Sequence, residues 1–273
     1  MILIADSGGS KTDWRLIQGN QIHQFVTSGF NARTDDFHRL MDTIPDEINL
    51  KEVAEFHFYL AGLNDSNKNN LKEQLKSIFE NAHLHLHPDT LGVARSLYGN
   101  ESGWVGILGT GSAAVYYDGQ QIAKRKPSLG YILGDEGSGV DLGRRFVKGF
   151  FRGELSDSLR QQLASQFPKL TEETLLVKLY EEDEGREYLS HFVPYLADHQ
   201  TNAEMHQIIQ SAFESYFDAF FTSERIETIA FSGSVAHYLS NVLHKVARRK
   251  GIGIKRIIQS PIAGLTLYHQ NHG

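Results

Sequence analysis

The chain has 273 residues, 40% of them hydrophobic and 22% charged, with a net charge of −6 and no cysteine. That is enough chain for two domains of ordinary size and globular composition. The acidic balance argues against a general nucleic-acid or acidic-membrane binder. The missing thiols exclude disulfides, Cys-ligated zinc and Cys-ligated iron–sulfur clusters.

Residues 1–28 read as three strands. Ile2-Leu3-Ile4-Ala5 is a short apolar run of the buried kind, and Asp6-Ser7-Gly8-Gly9-Ser10-Lys11-Thr12 is a polar Gly-rich turn. Asp13 to Ile17 and Ile22 to Val26 continue as strands around Gly19-Asn20. The opening Met-Ile-Leu-Ile-Ala-Asp shows no basic region and no cleavage site, and no apolar run approaches the roughly 18 residues of a membrane span. A cytoplasmic protein with no membrane partner is the expectation. Gly-Ser-Lys-Thr resembles the tail of a P-loop, yet a strand follows it instead of a helix. Asp6, at the end of a strand, suits Mg²⁺, directly or through water; the alternative is a turn-capping aspartate.

Residues 34–49 fit a helix capped by Thr34, with Asp35 and Asp36 in its first turn and Pro45 disturbing its end. A strand over 56–61 ends at Gly62, and an amphipathic helix spans 67–79. His83-Leu84-His85-Leu86-His87 alternates as a strand with three histidines on one face. With no fourth ligand identifiable, a solvated or helix-covered face is the reading preferred to a metal site. Pro88-Asp89 then opens a helix over 90–97. Asp89 thus sits at the carboxyl end of a strand, where open α/β sheets place ligands; a simple helix cap is the alternative. Gly99 to Gly103 is the best candidate domain boundary.

Trp104 to Gly119 reads as a β-hairpin around Gly109-Thr110-Gly111-Ser112. Two glycines let this backbone come close to a ligand, and successive amides can converge on a phosphate. Gly-Thr-Gly-Ser-Ala-Ala also matches a dinucleotide fingerprint, but that motif needs a helix after the turn, and a strand is expected here. A plain hairpin turn remains the alternative. Residues 122–126 fit a third strand. The Gly-rich stretch 127–139 ends in Gly134-Asp135-Glu136-Gly137-Ser138-Gly139 and leads into a helix over 140–150. Acids beside a phosphate site suit sugar hydroxyls or a metal ion.

Residues 154–222 read as helical, with a break at Pro194 and a wide apolar stripe over 203–222 that suits either core or a subunit interface. The run Glu181 to Glu184 reads as a solvated turn. Thr228 to Phe231 is a buried strand. Ser232-Gly233-Ser234-Val235-Ala236 and a helix to about residue 250 follow, forming another anion-facing loop. The strand 254–258 and a helix from Pro261 close the chain.

Two Gly-rich strand–turn–strand loops about a hundred residues apart, an aspartate at a strand end between them, and a strand–Gly-Ser–helix near the C-terminus form an ordered set. The set resembles the acetate kinase/sugar kinase/Hsp70/actin superfamily, and within it the N-acetylglucosamine kinase-like proteins of the BadF/BadG/BcrA/BcrD ATPase family. The resemblance covers essentially the whole chain. Residues 6–14 look like the first phosphate motif, 108–112 like the second and 231–236 like the adenosine motif. Residues 134–139 look like the most branch-specific piece. Asp89 with Gly92 and Ala94 is similar to the helix that carries the family's catalytic base.

This resemblance implies an α/β fold of two ribonuclease H-like (actin-like ATPase) domains with a nucleotide cleft between them. The domains would span 1–101 and 102–260, with a helical insertion over 154–222 and the closing helix 261–273 returning to the first. It implies ATP-dependent phosphorylation of an amino-sugar hydroxyl, O6 of N-acetylglucosamine foremost. Asp89 would orient and deprotonate that hydroxyl. Ser7, Gly8, Gly9, Ser10, Lys11 and Thr12 would bind ATP phosphates, together with Gly109, Thr110, Gly111 and Ser112. Gly233, Ser234 and Ala236 would bind adenosine, and Asn31, Asp89, Gly130 and Asp135 the sugar, while Asp6 would place Mg²⁺. A homodimer is the common state of this branch.

Two positions depart from its eukaryotic members: Leu129-Gly130-Tyr131 stands for Trp-Gly-His, and Ala113 for Asn. Glucosamine and N-acetylmuramic acid therefore stay open as acceptors. The absence of cysteine removes the related dehydratase activators, which need a Cys-ligated cluster. A non-catalytic ATP-binding sensor of the actin/Hsp70 type is the alternative from another class.

Overall fold

Strand β1 (Ile2–Ser7) turns through Gly8 and Lys11 into β2 (Lys11–Gln18), and a Gly19-Asn20 turn returns it as β3 (Gln21–Ser28). The computed structural model describes the chain except Gly9, Ser10, Thr34, Asp35, Asp46, Glu47, Asp183 and Gly273, and the side chain of His272. Then come α1 (Phe37–Met41), a 3₁₀ turn at Leu50–Glu52, β4 (Glu55–Leu60), α2 (Asp65–Ile78), β5 (His83–Pro88) and α3 (Asp89–Tyr98). β1 pairs antiparallel with β2 and parallel with β4, giving one five-stranded sheet in the order β3-β2-β1-β4-β5.

The same plan recurs. β6 (Gly103–Leu108), β7 (Ser112–Tyr117) and β8 (Ile122–Lys126) form a meander. A helical stretch follows, with α4 (Gly130–Leu133), α5 (Gly139–Arg152), α6 (Asp157–Gln166), α7 (Glu172–Tyr180), α8 (Gly185–Ser190), α9 (Val193–Asp198) and α10 (Ala203–Phe221). β9 (Thr228–Ser232), α11 (Ser234–Tyr238), α12 (Ser240–Arg249) and β10 (Gly253–Ile258) complete a second sheet in the order β10-β9-β6-β7-β8. The last helix is α13 (Ile262–His272). The order β8-β7-β6-β9-β10 repeats β3-β2-β1-β4-β5 strand for strand, so the fold is α/β with two mixed sheets of one topology.

The chain divides into two compact units. Met1–Ser102, Tyr117–Ala123 and Ser260–Gly273 make the first, and Gly103–Tyr116 with Lys124–Gln259 the second. Among the described residues no helix is long and apolar enough to cross a membrane.

In the first sheet the period of two sorts each strand cleanly. Leu3, Ala5, Trp14, Leu16, Phe56, Phe58 and Leu86 bury one face in a single core. There the Trp14 ring stacks on Phe25 at 5.5 Å and on Phe56 at 5.9 Å, and its indole N–H donates to Thr27 Oγ1 at 2.8 Å. On the other face Ile4, Ile17, Tyr59, Ile262 and Leu265 form a smaller cluster. α3 and α13 cover that face, and they approach closely because Gly264 lies on Ser96, where a Cβ would come within 2.2 Å of Oγ.

The stripe predicted at 203–222 is core. Met205, Ile209, Ala212, Phe213, Tyr216, Phe217, Phe220 and Phe221 are all buried in the second unit. The helical region breaks between α8 and α9, where Pro194 opens a new helix.

Four expectations shift. The helix predicted over 34–49 is only α1, capped by Asp36, whose Oδ1 accepts from the His38 N–H. It ends at Met41, ahead of Ile44, the residue that Pro45 biases away from helix; Thr34 and Asp35 lie outside the described residues. α2 starts two residues before the predicted Asn67, because Asn64 and Asn67 form a reciprocal capping box. The helix expected to follow Ala236 and run to about residue 250 begins earlier, at Ser234, and is two, broken at Leu239, which is fully buried. Short α4 has no period that a sequence pattern would reveal.

Candidate functional site

β1, β4 and β5 run parallel, so their carboxyl ends share one edge of the first sheet. Asp6 sits near the end of β1, and Asp89 opens α3 directly after β5. The hairpin register sets Asp13 directly across from Asp6. Like charges at opposed positions repel, and two contacts relieve them. Lys11 Nζ lies 2.8 Å from Asp13 Oδ2, and Ser260 Oγ donates to the same oxygen at 3.2 Å. Asp6 keeps the strain. Burial, then the nearby Asp89 and Asp13 carboxylates, push its carboxyl up to about 8, against the pull of Lys11. Asp89 Oδ1 accepts the Thr90 N–H at 2.7 Å, so the carboxylate caps its own helix.

A carboxyl pushed up first by burial and then by two neighbouring carboxylates is a place that a divalent cation would relieve. The donor set is all oxygen, which suits Mg²⁺. Asp13 was not singled out by sequence; only strand pairing brings it opposite Asp6.

The turn between β1 and β2 is organised from inside. Ser7 Oγ and Thr12 Oγ1 lie 2.7 Å apart, and both are fully buried. Ser7 Oγ donates to the Phe30 carbonyl and accepts the Phe30 N–H, while Thr12 Oγ1 donates to the Ser28 carbonyl. Their hydroxyls therefore shape the loop from within. Gly8 and Lys11 are the exposed members, and Gly9 and Ser10 lie outside the described residues. Asn31 Oδ1 accepts the Arg33 N–H and its backbone bridges to Ala61, which fixes it at the same edge.

Helix α3 reaches this edge through Gly92. A Cβ there would stand 2.8 Å from the Tyr59 ring, so glycine is what lets the helix lie flat on β4.

In the second unit the Gly109–Ser112 turn is tied to the start of α5. The Gly139 and Val140 N–H groups donate to the Gly109 and Thr110 carbonyls. The Ser112 N–H donates to Asp135 Oδ1 at 3.1 Å, and the Gly109 N–H to the Gly111 carbonyl. Two amides of the turn, and the first amides of α5, are thus committed internally. Asp135 is buried with φ +57°, and burial raises its carboxyl despite the Ser112 N–H and Arg186. Arg186 of α8 is a residue the sequence reading missed, because it follows an acidic run and carries no motif. A Cβ on Gly111 would lie 3.0 Å from its Nη2, and its buried Nε has no partner among the described residues. A guanidinium beside a Gly-rich turn is chemistry for an anion.

Gly233 has φ +121°, and a Cβ would meet the Leu108 carbonyl oxygen at 2.2 Å. Only glycine lets the β9–α11 turn cross β6. Ser234 is exposed, whereas Ala236 is buried in the core. Gly130 is exposed at the start of α4 with φ +70°.

The sequence matches no protein-family model and no curated protein. Solved structures do match. A Porphyromonas gingivalis protein whose structure is named "Putative N-acetylglucosamine Kinase" is 30% identical, with a TM-score of 0.91 over 99% of each chain. A Chromobacterium violaceum structure of the same name is 16% identical, with a TM-score of 0.72 over 98% of each chain. A ROK family glucokinase from Streptomyces griseus, in complex with glucose and AMPPNP, is 14% identical with a TM-score of 0.56, and the match covers 100% of this chain and 99% of that one. The last two share the fold.

Proposed function

The chain belongs to the family of the Porphyromonas gingivalis N-acetylglucosamine kinase-like protein, and on that premise we propose that it is an ATP-dependent sugar kinase acting on an amino sugar, with O6 of N-acetylglucosamine as the acceptor. The BadF/BadG/BcrA/BcrD branch is the placement within the superfamily that its motifs favour. The observation that carries the reading is the convergence of Asp6, Asp13 and Asp89 at one sheet edge, beside Lys11.

In this reading Asp89 accepts the proton of the attacking sugar hydroxyl and orients its lone pair toward the phosphorus. Its own hydrogen bond from the Thr90 N–H holds the carboxylate in place. Asp6, with Asp13 beside it, holds Mg²⁺ directly or through water. Lys11 and the Gly8 backbone contact phosphate oxygens, as do Thr110 and Gly111, with Arg186 as a further donor. Gly233 and Ser234 pass the adenosine, and Asn31, Gly130 and Asp135 serve sugar hydroxyls. ATP would supply the phosphoryl group, and Mg²⁺ held by Asp6 would supply charge neutralisation at the phosphate oxygens. What the protein adds is position and fixed charge.

The test is a coupled ADP-release assay with Mg-ATP against N-acetylglucosamine, glucosamine, N-acetylmannosamine, N-acetylmuramic acid and glucose. A sugar-dependent rate with N-acetylglucosamine preferred is the expected result. Preference for another sugar of the panel moves the substrate and keeps the chemistry. ATP binding with no sugar-dependent turnover overturns the kinase reading in favour of a sensor.

A further inference from the structure

A second cluster on the same sheet takes no part in that reaction. β5 carries His83, His85 and His87 at alternate positions, and the parallel register with β4 sets His57 opposite His85 and Tyr59 opposite His87. One ring nitrogen from each of His57, His85 and His87 lies within 4.8 Å of the others. The His-x-His pair on one strand and the third imidazole on its neighbour together resemble three-ligand zinc sites, in which the fourth position is open.

The hydrogen bonding of His57 is the independent observation. His57 is 8% exposed, and its Nε2 lies 3.1 Å from Glu55 Oε2. An ionised carboxylate only accepts, so Nε2 carries the proton and Nδ1 presents a bare lone pair. That Nδ1 is buried and has no partner among the described residues. A carboxylate behind one ring nitrogen, fixing the tautomer so that the other faces the ion, is the usual outer arrangement of a metal-bound histidine.

We propose that His57 Nδ1, His85 and His87 form a three-imidazole site for a divalent transition-metal ion of the zinc class, with the fourth position left to water. Imidazole donors select zinc, copper or nickel over Mg²⁺ and Ca²⁺, so this site is chemically separate from the carboxylate edge. The His57 and His85 rings stack at 4.5 Å and 10°, and those of His85 and His87 lie at 6.5 Å and 10°. A metal binds in the plane of each ring, so loading turns His85, the exposed member. The Arg95 charge opposes a cation here; its Nη1 donates to the Tyr59 hydroxyl at 2.8 Å, and its guanidinium lies over the Tyr268 ring. His269 packs on His57 at 3.8 Å and closes the inner side.

The experiment uses the full-length, untagged protein, stripped with a chelator and dialysed. Zn²⁺ is titrated by calorimetry and Co²⁺ by its visible absorption. One equivalent should bind at micromolar affinity or tighter. His85→Ala and His87→Ala should each weaken binding at least tenfold, roughly, and Glu55→Gln about 10–100-fold. His83→Ala should leave it unchanged. His85 is exposed, so its loss spares the fold, and near-UV circular dichroism confirms that. The absence of a stoichiometric site, a site that survives the loss of His85 and His87, or one lost with His83, overturns the assignment. None of these results bears on sugar phosphorylation.

Discussion

The two faces of the first sheet are built from the same strands and do opposite things. One carries Trp14, Phe56, Phe58 and Phe30, with Trp14 and Phe58 stacked at 6.1 Å. The other carries Asp6, Asp13, His57, Tyr59, His85 and His87, under α3 and α13. The period of two produces both at once: Leu3 and Ala5 point one way, Ile4 and Asp6 the other. The aromatic face makes the unit stable without making any chemistry. The mixed face tolerates polar groups where they are bonded: Asp13 to Lys11 and Ser260, His57 Nε2 to Glu55, and the Tyr59 hydroxyl to Arg95 and His269. Asp6 and the His57 Nδ1 have no such partner among the described residues, and each is a place where we propose a cation.

The sharpest way to separate the faces is Asp89→Asn. Sugar phosphorylation should fall about 10²–10⁴-fold while nucleotide binding persists, read by turnover and by nucleotide titration; unchanged turnover removes Asp89 from the mechanism. Trp14→Ala attacks the opposite face. It empties the centre of the aromatic stack and should lower stability by about 3–5 kcal/mol in denaturant unfolding, with no specific loss of turnover in the molecules still folded. Gly92→Ala tests the seam where α3 lies on Tyr59. A Cβ meeting that ring at 2.8 Å should cost about 1–3 kcal/mol; a neutral result means that the helix can lift freely.

The smallest effect is read through pH. Asp6 titrates near 8 when folded and near 3.8 when unfolded. Between those values the folded state binds the extra proton, so this group makes stability fall as pH rises, by up to about 1.4 kcal/mol per unit. Asp6→Asn should flatten that slope between pH 5 and 7 in chelator-treated protein, and Mg²⁺ should flatten it in the parent chain. Parallel pH profiles for the two proteins would place Asp6 in solvent.

Much of this was legible in the residues. Three opening strands, the hairpin at Trp104, the strand of alternating histidines and the Asp89 helix all follow from period and punctuation. The two phosphate-type loops were legible as glycines between strands. The interior use of Ser7 and Thr12 was not, because a hydroxyl beside glycines looks alike whether it faces a ligand or a neighbouring carbonyl. Arg186 and His57 carried no signal at all: each matters only through what lies beside it.

The sequence by itself determined most of the strands and longer helices and the residues that end them, because local propensity and a period of two or 3.6 act over a few neighbours; the class of fold came from the resemblance of its motifs to a known family. Tertiary structure decided which of those residues meet. Strand register set Asp13 against Asp6 and His57 against His85, across 7 and 28 positions of chain respectively. No local pattern encodes those distances. They follow from the sheet order β3-β2-β1-β4-β5, which the whole core selects through burial of its aromatic face.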